Sequence, residues 1–279
     1  MDQVIRDHEY SMVSRHFHET YEFYYLEEGQ RYYFIETQTY LVKAGDVVLI
    51  KPNRIHKTSM AGASYHNRIL LQIDGGFMDG VLEASGLGNM DAVYGEDAVI
   101  LHIPVEERRP FLELFSSMEQ EMRKKQKGWL AAVKLLLARL LLEIVRYQKR
   151  TEVSGKELIS KEQAAGTWKH QKVGQVADYL GKYPETKESL EELAKRFFIS
   201  KSYLSRIFRE VTSFTVNEYK NISRIKKSQQ LLLHSDCSIT EVSERLGFEN
   251  LTYYERVFKK YTGMSPFKYR KGNGCSKSF

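Results

Sequence analysis

Short apolar runs alternate with turn residues through residues 21–105. β-Branched and aromatic residues dominate these runs, as is typical of strands in a pleated, half-buried sheet. Glycine or proline separates the runs at Gly29, Gly45 and Pro52. Several short strands at such close spacing predict a small barrel or sandwich. The predicted strands are Tyr21–Leu26, Arg31–Glu36, Thr39–Val42, Val47–Ile50 and Arg68–Ile73.

From residue 106 to residue 150 the apolar positions recur at intervals of three and four, which predicts two helices. The first has one apolar face, and the second, Trp129–Arg150, has two apolar seams. One seam can pack against the barrel or the first helix, and we expect the other to contact a second copy of the chain. Burial of both seams within one chain is the alternative. The face comprises Phe111, Phe115, Met118 and Met122, and the seams comprise Val133, Leu136 and Leu140, and Leu137, Leu141 and Ile144.

The chain turns polar at residue 151, as an interdomain linker does. We predict a barrel at 1–105, a helical dimerisation segment at 106–150, a linker at 151–172, a helical domain at 173–271 and a loose tail at 272–279. The predicted fold class is therefore α+β with two domains: an N-terminal β-barrel with following helices, then an all-α domain.

The C-terminal part contains a repeat. The run YLSRIF starting at Tyr203 recurs as YYERVF starting at Tyr253, 50 positions later. Each copy follows a capping-box pattern, which predicts a helix, a tight turn and a second helix. Gly247 suits the turn of the second copy, but Phe198 stands there in the first, so we expect a different backbone conformation in that turn. The segment Val216 to His234 reads as one connecting helix of about 27 Å.

Composition and charge limit the classes of protein to which this chain can belong. Hydrophobic residues make up 42% of the chain and charged residues 28%, which excludes a disordered protein. Two cysteines exclude a disulfide framework and a cysteine-rich zinc site. Residues 173–279 carry 19 Lys+Arg and 12 Asp+Glu, a net charge of +7, whereas residues 1–172 carry −1. A basic module attached to a neutral one suggests a polyanionic partner.

The second helix of each repeated unit has an apolar back and a polar front. A helix that enters the DNA major groove needs these two faces, and two matched units in the basic half favour DNA over a merely solvated surface. Arg206 and Arg256 recur in the repeat, so either can serve a phosphate or the structure instead of a base. The candidate DNA-contacting residues are Lys201, Ser202, Ser205, Arg206 and Arg209, then Asn250, Thr252, Glu255, Arg256 and Lys259.

The stretch from Val173 to Arg270, ending in GFENLTYYERVFKKYTGMSPFKYR, resembles the DNA-binding domain of the AraC/XylS family of bacterial transcription regulators. The resemblance implies two helix-turn-helix units joined by a long helix and inserted in successive major grooves. Two positions depart from the family pattern. Ser213 stands where glycine is usual, as Gly263 is in the second unit, and Ser228 stands where alanine is usual.

The N-terminal half resembles the cupin superfamily through His16-x-His18-x3-Glu22-x6-Gly29 and a looser second motif that ends at His56. By position, a cupin metal would be held by His16, His18, Glu22 and His56, and imidazole with carboxylate suits Zn, Fe, Mn or Ni. Sensor domains attached to AraC-type DNA-binding domains often carry such traces without needing a metal. The same side chains would then contact a polar ligand, or merely satisfy one another.

We predict no bound cofactor and a small-molecule effector inside the barrel. Aromatic residues with His, Tyr and Arg donors fit a sugar, although aromatic residues in strands are more often core. Tyr33 could add a ring contact or a hydrogen bond. The candidate ligand-binding residues are His16, His18, Glu22, Tyr24, Arg31 and His56.

The sequence thus predicts a cytoplasmic, soluble, dimeric DNA-binding regulator and not an enzyme. By family resemblance it is an activator, with double-stranded DNA and RNA polymerase as partners. The sequence shows neither a signal peptide nor an uninterrupted run of ~18 apolar residues. We therefore expect no membrane partner. One alternative is a metal-dependent cupin enzyme fused to a DNA-binding domain. Another is a regulator without a ligand, controlled by a protein partner or by its expression level.

Overall fold

The computed structural model describes residues 2–6, 18–62, 65–87, 91–95, 98–153 and 167–274. The chain forms two compact units, Met1–Thr167 and Trp168–Phe279. The first is a strand-rich half-barrel with helices and the second is helical, which confirms the predicted fold class. Among the described residues, none of the helices combines the length and hydropathy needed to cross a membrane.

The half-barrel is a sheet of antiparallel strands centred on one long strand, β2. The described strands follow the order β1-β6-β2-β4-β7, and β3 and β5 pair with the second half of β2. The strands are β1 (Asp2–Arg6), β2 (Tyr21–Ile35), β3 (Gln38–Lys43), β4 (Asp46–Ile50), β5 (His56–Met60), β6 (His66–Ile73) and β7 (Ala98–His102).

Strand β2 corrects the prediction of two separate strands at Tyr21–Leu26 and Arg31–Glu36. It is continuous, with a register shift against β6 between Leu26 and Glu28. Next to this register shift, Gly29 adopts φ 90°. A Cβ on Gly29 would lie 2.5 Å from the backbone oxygen of Tyr65, the residue that precedes β6. Glycine therefore bends the strand instead of ending it. The bend lets one strand pair with β4 and β6 in its first half and with β3 and β5 in its second.

Helices cover the outer face of the sheet. Phe23 and Tyr25 of β2 point outward, and their rings lie 5.5 and 5.7 Å from that of Phe115. Tyr24 and Leu26 point inward and share a separate core with Val48. The helices of this unit are α1 (Gly75–Ser85), α2 (Asp91–Tyr94), a 3₁₀ turn (Val105–Glu107), α3 (Arg109–Lys124) and α4 (Trp129–Val153).

Helix α4 corrects the expectation that one of its seams is left for a partner. Val133 and Leu140 of that seam are buried, and Leu136 packs against the same core as the other seam. The reason is that α4 packs against both α3 and α1, and α1 was not predicted. Among the large apolar side chains of α4 that the structure describes, Leu130 and Leu135 are exposed, at 48% and 64%.

The C-terminal unit consists of helices whose starts are encoded locally. Ser189 and Ser238 form the two predicted capping boxes, and Thr215 forms a third. The connecting helix has the predicted bounds. The helices are α5 (Trp168–Lys182), α6 (Leu190–Arg196), α7 (Lys201–Thr212), α8 (Val216–His234), α9 (Ile239–Arg245), α10 (Leu251–Thr262) and α11 (Pro266–Gly274).

Three helices extend across boundaries that were predicted from the sequence. Helix α4 runs past residue 150 to Val153, and α11 extends into the predicted tail. Helix α5 begins at Trp168, inside the predicted linker 151–172. Its first turn is fixed because the Trp168 ring lies 5.8 Å from that of Tyr203, and Lys172 donates to the backbone of Phe197. Residues 154–166 of that linker lie outside the described residues.

The turns of the two repeated units share one backbone conformation. Phe198 has φ 56° and Gly247 has φ 68°, so the prediction of a different conformation in the first unit is wrong. Phe198 is tolerated because its side chain is 89% exposed to solvent. Ser213 and Gly263 also correspond, and both end their helices in the left-handed region.

Candidate effector site and DNA-binding surface

The half-barrel encloses a cluster of polar side chains centred on Glu22. Nε2 of His18 and Nε2 of His56 each lie 3.3 Å from Glu22 Oε2. The Tyr33 hydroxyl donates to Glu22 Oε1 at 2.5 Å. Glu22 and His56 are fully buried and His18 is half-buried. The structure therefore brings together three of the predicted ligand-binding residues and adds Tyr33, whose orientation the sequence did not determine.

Glu22 and His56 stabilise each other's charge. Burial alone would raise the pKa of Glu22, but His56 and the hydrogen bonds from His18, His56 and Tyr33 hold that pKa well below its usual value. Burial opposes protonation of His56, but Glu22 raises its pKa above the ordinary value. Each pKa shift thus favours the charged form of its group, and the two opposite charges would compensate within the cluster.

The same three side chains have the donor set of a divalent-metal site. One ligand atom from each of His18, Glu22 and His56 lies within 4.8 Å of the others. Nδ1 of His18 lies 3.1 Å from the carbonyl oxygen of Thr20, and Nδ1 of His56 lies 2.9 Å from that of Arg54. Such second contacts direct Nε2 toward a metal. His16, the fourth predicted ligand, lies outside the described residues.

The remaining predicted ligand-binding residues lie beside this cluster. The rings of Tyr24 and Tyr33 are 5.2 Å apart, and the guanidinium of Arg68, a residue that the sequence analysis missed, lies over Tyr24 at 5.9 Å. Arg31 is fully buried. The Tyr24 hydroxyl is buried with no hydrogen-bond partner among the described atoms. Arg68 shares a strand face with buried Leu70, and this alternation was the signal that could have found it.

In the helical unit, α7 and α10 each present a polar front. Buried Leu204, Ile207 and Phe208 hold the back of α7. Tyr254 and Val257 are among the buried residues on the corresponding side of α10. All ten predicted DNA-contacting residues are exposed: Lys201, Ser202, Ser205, Arg206, Arg209, Asn250, Thr252, Glu255, Arg256 and Lys259.

The repeated arginines stack on the tyrosine three positions earlier. The Arg206 guanidinium lies 5.0 Å from the Tyr203 ring, and that of Arg256 lies 5.2 Å from the Tyr253 ring. Asn250 is the N-cap of α10, and its Oδ1 accepts a hydrogen bond from the Tyr253 amide at 2.8 Å. Its side-chain NH2 therefore remains the group with which it can contact DNA.

Arg224 of α8 connects the two helix-turn-helix units. Its Nε donates to the carbonyl of Pro184 and one terminal nitrogen donates to that of Thr186, both before α6. Its guanidinium also lies 5.2 Å from the ring of Phe248, in the turn of the second unit. Beside it, a Cβ on Gly247 would lie 2.5 Å from the Glu185 carbonyl oxygen. The two units are therefore held together by direct contact as well as by α8.

A strand-rich half-barrel with a buried polar cluster, followed by two helix-turn-helix units, defines a sensor domain joined to a DNA-binding domain. An AraC-like ligand binding domain family matches residues 4–141, and a helix-turn-helix domain family matches residues 193–272. The chain belongs to the AraC family of transcription regulators. This family is one of regulators, so the alternative of a metal-dependent cupin enzyme is set aside.

Two curated proteins and one solved structure are similar to this chain. The chain is 40% identical over 82 residues to the Msm operon regulatory protein of Streptococcus mutans, covering 29% of this chain and 30% of the relative. It is 33% identical over 96 residues to the uncharacterised HTH-type transcriptional regulator YijO of Escherichia coli, covering 34% of each. The match thus spans about a third of these relatives' length. The fatty-acid-bound structure of ToxT from Vibrio cholerae has 16% identity and a TM-score of 0.37, over 96% of this chain and 92% of that one.

Proposed function

We propose that this chain is a ligand-responsive transcription regulator that binds double-stranded DNA through α7 and α10. The observation that carries the proposal is the pair of matched helix-turn-helix units with exposed polar fronts in one compact unit. Helix α8 is about 28 Å long at 1.5 Å per residue. This length suits two reading helices that enter successive major grooves, which lie about 34 Å apart.

The ten exposed residues of the polar fronts form the proposed DNA surface. Among them Arg256 can donate two hydrogen bonds to guanine, and Glu255 can accept one from cytosine N4. The stacking of Arg206 and Arg256 on tyrosine rings supports a common orientation for the two arginines. In each unit the guanidinium is held beside the reading face.

The effector is a small polar molecule bound inside the half-barrel, and a sugar is the class we favour. The buried Tyr24 hydroxyl is a hydrogen-bonding group that such a ligand could satisfy. Buried Glu22, Arg31 and His56, together with half-buried His18, supply further donors and acceptors in the half-barrel. A polyhydroxylated ligand matches this mixture of aromatic faces and polar atoms.

The effector binds two arrangements of the protein with unequal affinity. A ligand that bound both arrangements equally would not change the equilibrium between them. We infer a homodimer, with the exposed Leu130 and Leu135 of α4 as apolar contacts. The regulator works in the cytoplasm as an activator, and RNA polymerase is its further partner. Each of these inferences extends the family assignment.

The test is DNA selection with the full-length protein, followed by binding measurements on the selected duplex and on a random duplex of the same length. We expect a preference for two half-sites on one DNA face. If Arg256 reads a base, Arg256→Ala should lose about 1–3 kcal/mol of binding free energy on the selected duplex and much less on the random duplex. Equal loss on both duplexes would make Arg256 a phosphate contact. A panel of sugars should change the affinity, and failure of the wild type to enrich any sequence would refute the proposal.

A further inference from the structure

A cavity of about 440 Å³ lies in the helical unit between the two helix-turn-helix units. One wall is the face of α8 that carries Asn217, Lys220 and Arg224. The other wall is the turn at residues 247–249 together with Tyr253 in the first turn of α10. Neither the repeat nor the apolar pattern of the sequence indicated it. Its polar lining includes Lys187, Asn217, Lys220, Asn221, Arg224 and Tyr253.

The lining is held in place by hydrogen bonds to both units. Lys220 Nζ donates to the carbonyl oxygen of Glu188 at 3.1 Å, and Asn221 Nδ2 donates to the Tyr253 hydroxyl at 3.0 Å. Arg224 is fixed by the two carbonyls before α6. Each ammonium carries three N–H donors and each amide two, so Lys220 and Asn221 retain donors for a ligand.

The cavity has an excess of positive charge. Three cations line it, against the single carboxylate of Glu249. Burial lowers the pKa of Lys220, and the positive charge of Arg224 lowers it further. The carboxylates of Glu188 and Glu192 act on Lys220 in the opposite direction, but neither lines the cavity. Lys220 and Arg224 lie one turn apart on α8, and an anion beside them would favour the charged form of Lys220.

The cavity also lies between the parts of the two units that approach DNA. Tyr253 is in the first turn of α10, and Lys187 lies two positions before the N-cap of α6. In helix-turn-helix complexes the second helix puts its N-terminal residues in the major groove while the first crosses the backbone. When two units enter successive grooves on one face, the surface between them faces the intervening backbone.

We propose that this cavity binds a backbone phosphate of the DNA between the two grooves that α7 and α10 enter. Lys187 and Lys220 supply the charge, and Asn217 and Asn221 supply neutral donors. The inference rests on the proposed DNA-binding function and adds a site to it. A phosphate contact positions the protein without reading sequence, so this site fixes how deep and in what register the two units sit.

The test compares two lysines of α8 in the full-length protein. Lys220→Gln removes a charge from the cavity, whereas Lys227→Gln removes one from an exposed side chain that lies outside the cavity and donates a hydrogen bond to Gln230 on the same helix. Both are measured on the selected duplex and on a random duplex between 50 and 300 mM salt. We expect Lys220→Gln to weaken binding to both duplexes by the same factor, about tenfold at low salt. The slope of log affinity against log salt concentration should become shallower by about 0.9. The Lys227→Gln control should keep the wild-type slope.

The outcomes separate this site from the proposed function. If the wild type binds neither duplex, DNA binding itself fails. If the wild type binds and Lys220→Gln keeps its affinity and slope, or loses affinity for the selected duplex alone, the phosphate site is overturned. Lys220→Arg should restore the slope if charge is the cause, which separates lost charge from a folding defect. If inorganic phosphate raises the Tm of the wild type but not of Lys220→Gln while both bind DNA equally, the cavity is a small-anion site instead.

Discussion

The hydroxyl groups of Ser228 and Tyr254 lie 2.5 Å apart and are fully buried between α8 and α10. Ser228 is one of the two departures from the family pattern, in which alanine is usual. The serine therefore satisfies a buried phenol, and it couples the connecting helix to the second reading helix.

This pair predicts a compensating double variant. Ser228→Ala should destabilise the helical unit by about 1–3 kcal/mol, because the buried Tyr254 hydroxyl loses its partner. Adding Tyr254→Phe should recover most of that loss, since neither polar group then remains. Urea unfolding of the four proteins completes a double-mutant cycle. Additive effects of the two changes would show that the hydroxyl groups do not interact.

Residues Ser213 and Gly263, which end α7 and α10, predict stability changes of opposite sign when serine is replaced by glycine in the first and glycine by alanine in the second. Ser213 has φ 66° and Gly263 has φ 74°, a region that costs a residue with a Cβ about 1 kcal/mol. Ser213→Gly should therefore stabilise the protein by about 0.5–1 kcal/mol, and Gly263→Ala should destabilise it by about 1 kcal/mol. Thermal unfolding of both variants against the wild type measures the two signs. Equal signs would contradict this explanation.

The contact between the two units predicts that their turns differ in tolerance. Gly247→Ala should lower affinity for the two-half-site duplex and cost at least about 2 kcal/mol of stability, because its Cβ would meet the Glu185 carbonyl and its φ is positive. Phe198→Ala is the matched control, since Phe198 has a positive φ but an exposed side chain. Binding and urea unfolding should separate the two variants. Similar losses in both would rule out the contact as the cause.

The buried cluster of the half-barrel predicts that charge compensation, and not a metal, holds it. Dialysis against EDTA should leave the Tm unchanged. Glu22→Gln should destabilise the N-terminal unit by about 3 kcal/mol, because the buried imidazole of His56 loses the carboxylate that favours its charged form. Elemental analysis provides the check. A near-stoichiometric amount of Zn, Fe, Mn or Ni that disappears in a His18→Ala/His56→Ala variant would show a metal site.

His170 predicts a loss of stability in mild acid. Burial, with the nearby charge of Lys169, lowers its pKa to about 4. The unfolded chain takes up a proton near pH 6.5 while the folded one does not, so the free energy of unfolding falls as pH drops from 6.5 to 4. The loss should be about 2 kcal/mol. His170→Gln should flatten this dependence.

Tryptophan fluorescence can follow the pH effect in the helical unit alone. The chain has two tryptophans, and Trp168 lies in α5, two positions before His170. In a Trp129→Phe background, Trp168 reports unfolding of that unit. Urea titrations at several pH values in this background should give a lower slope for His170→Gln. An unchanged pH slope in that variant would assign the acid sensitivity to another group.

The sequence predicted best what is encoded over a few residues. Both capping boxes followed from side chains within one helical turn. The bounds of α8 followed from the spacing of the apolar positions along it. The apolar backs and polar fronts of α7 and α10 followed from helical periodicity, which fixes the buried side of a helix.

What the sequence missed depended on contacts between distant segments. The two seams of α4 are both buried because α1, which residues 75–85 form, packs against it. The conformation at Phe198 depended on whether space existed for a side chain. The contacts of Arg224 and Lys220 reach residues more than thirty positions away, so no local pattern could indicate them.

The repeated turns also determine how freely each reading helix can diversify. Around Phe198 the turn opens to solvent, so substitutions there meet no neighbour. Around Gly247 the backbone of Glu185 closes the space, and only hydrogen fits. New binding preferences can therefore arise in the first unit by changing both its turn and its helix, whereas the second can change only the helix surface. Within one repeated motif, one copy is adaptable and the other is a fixed anchor.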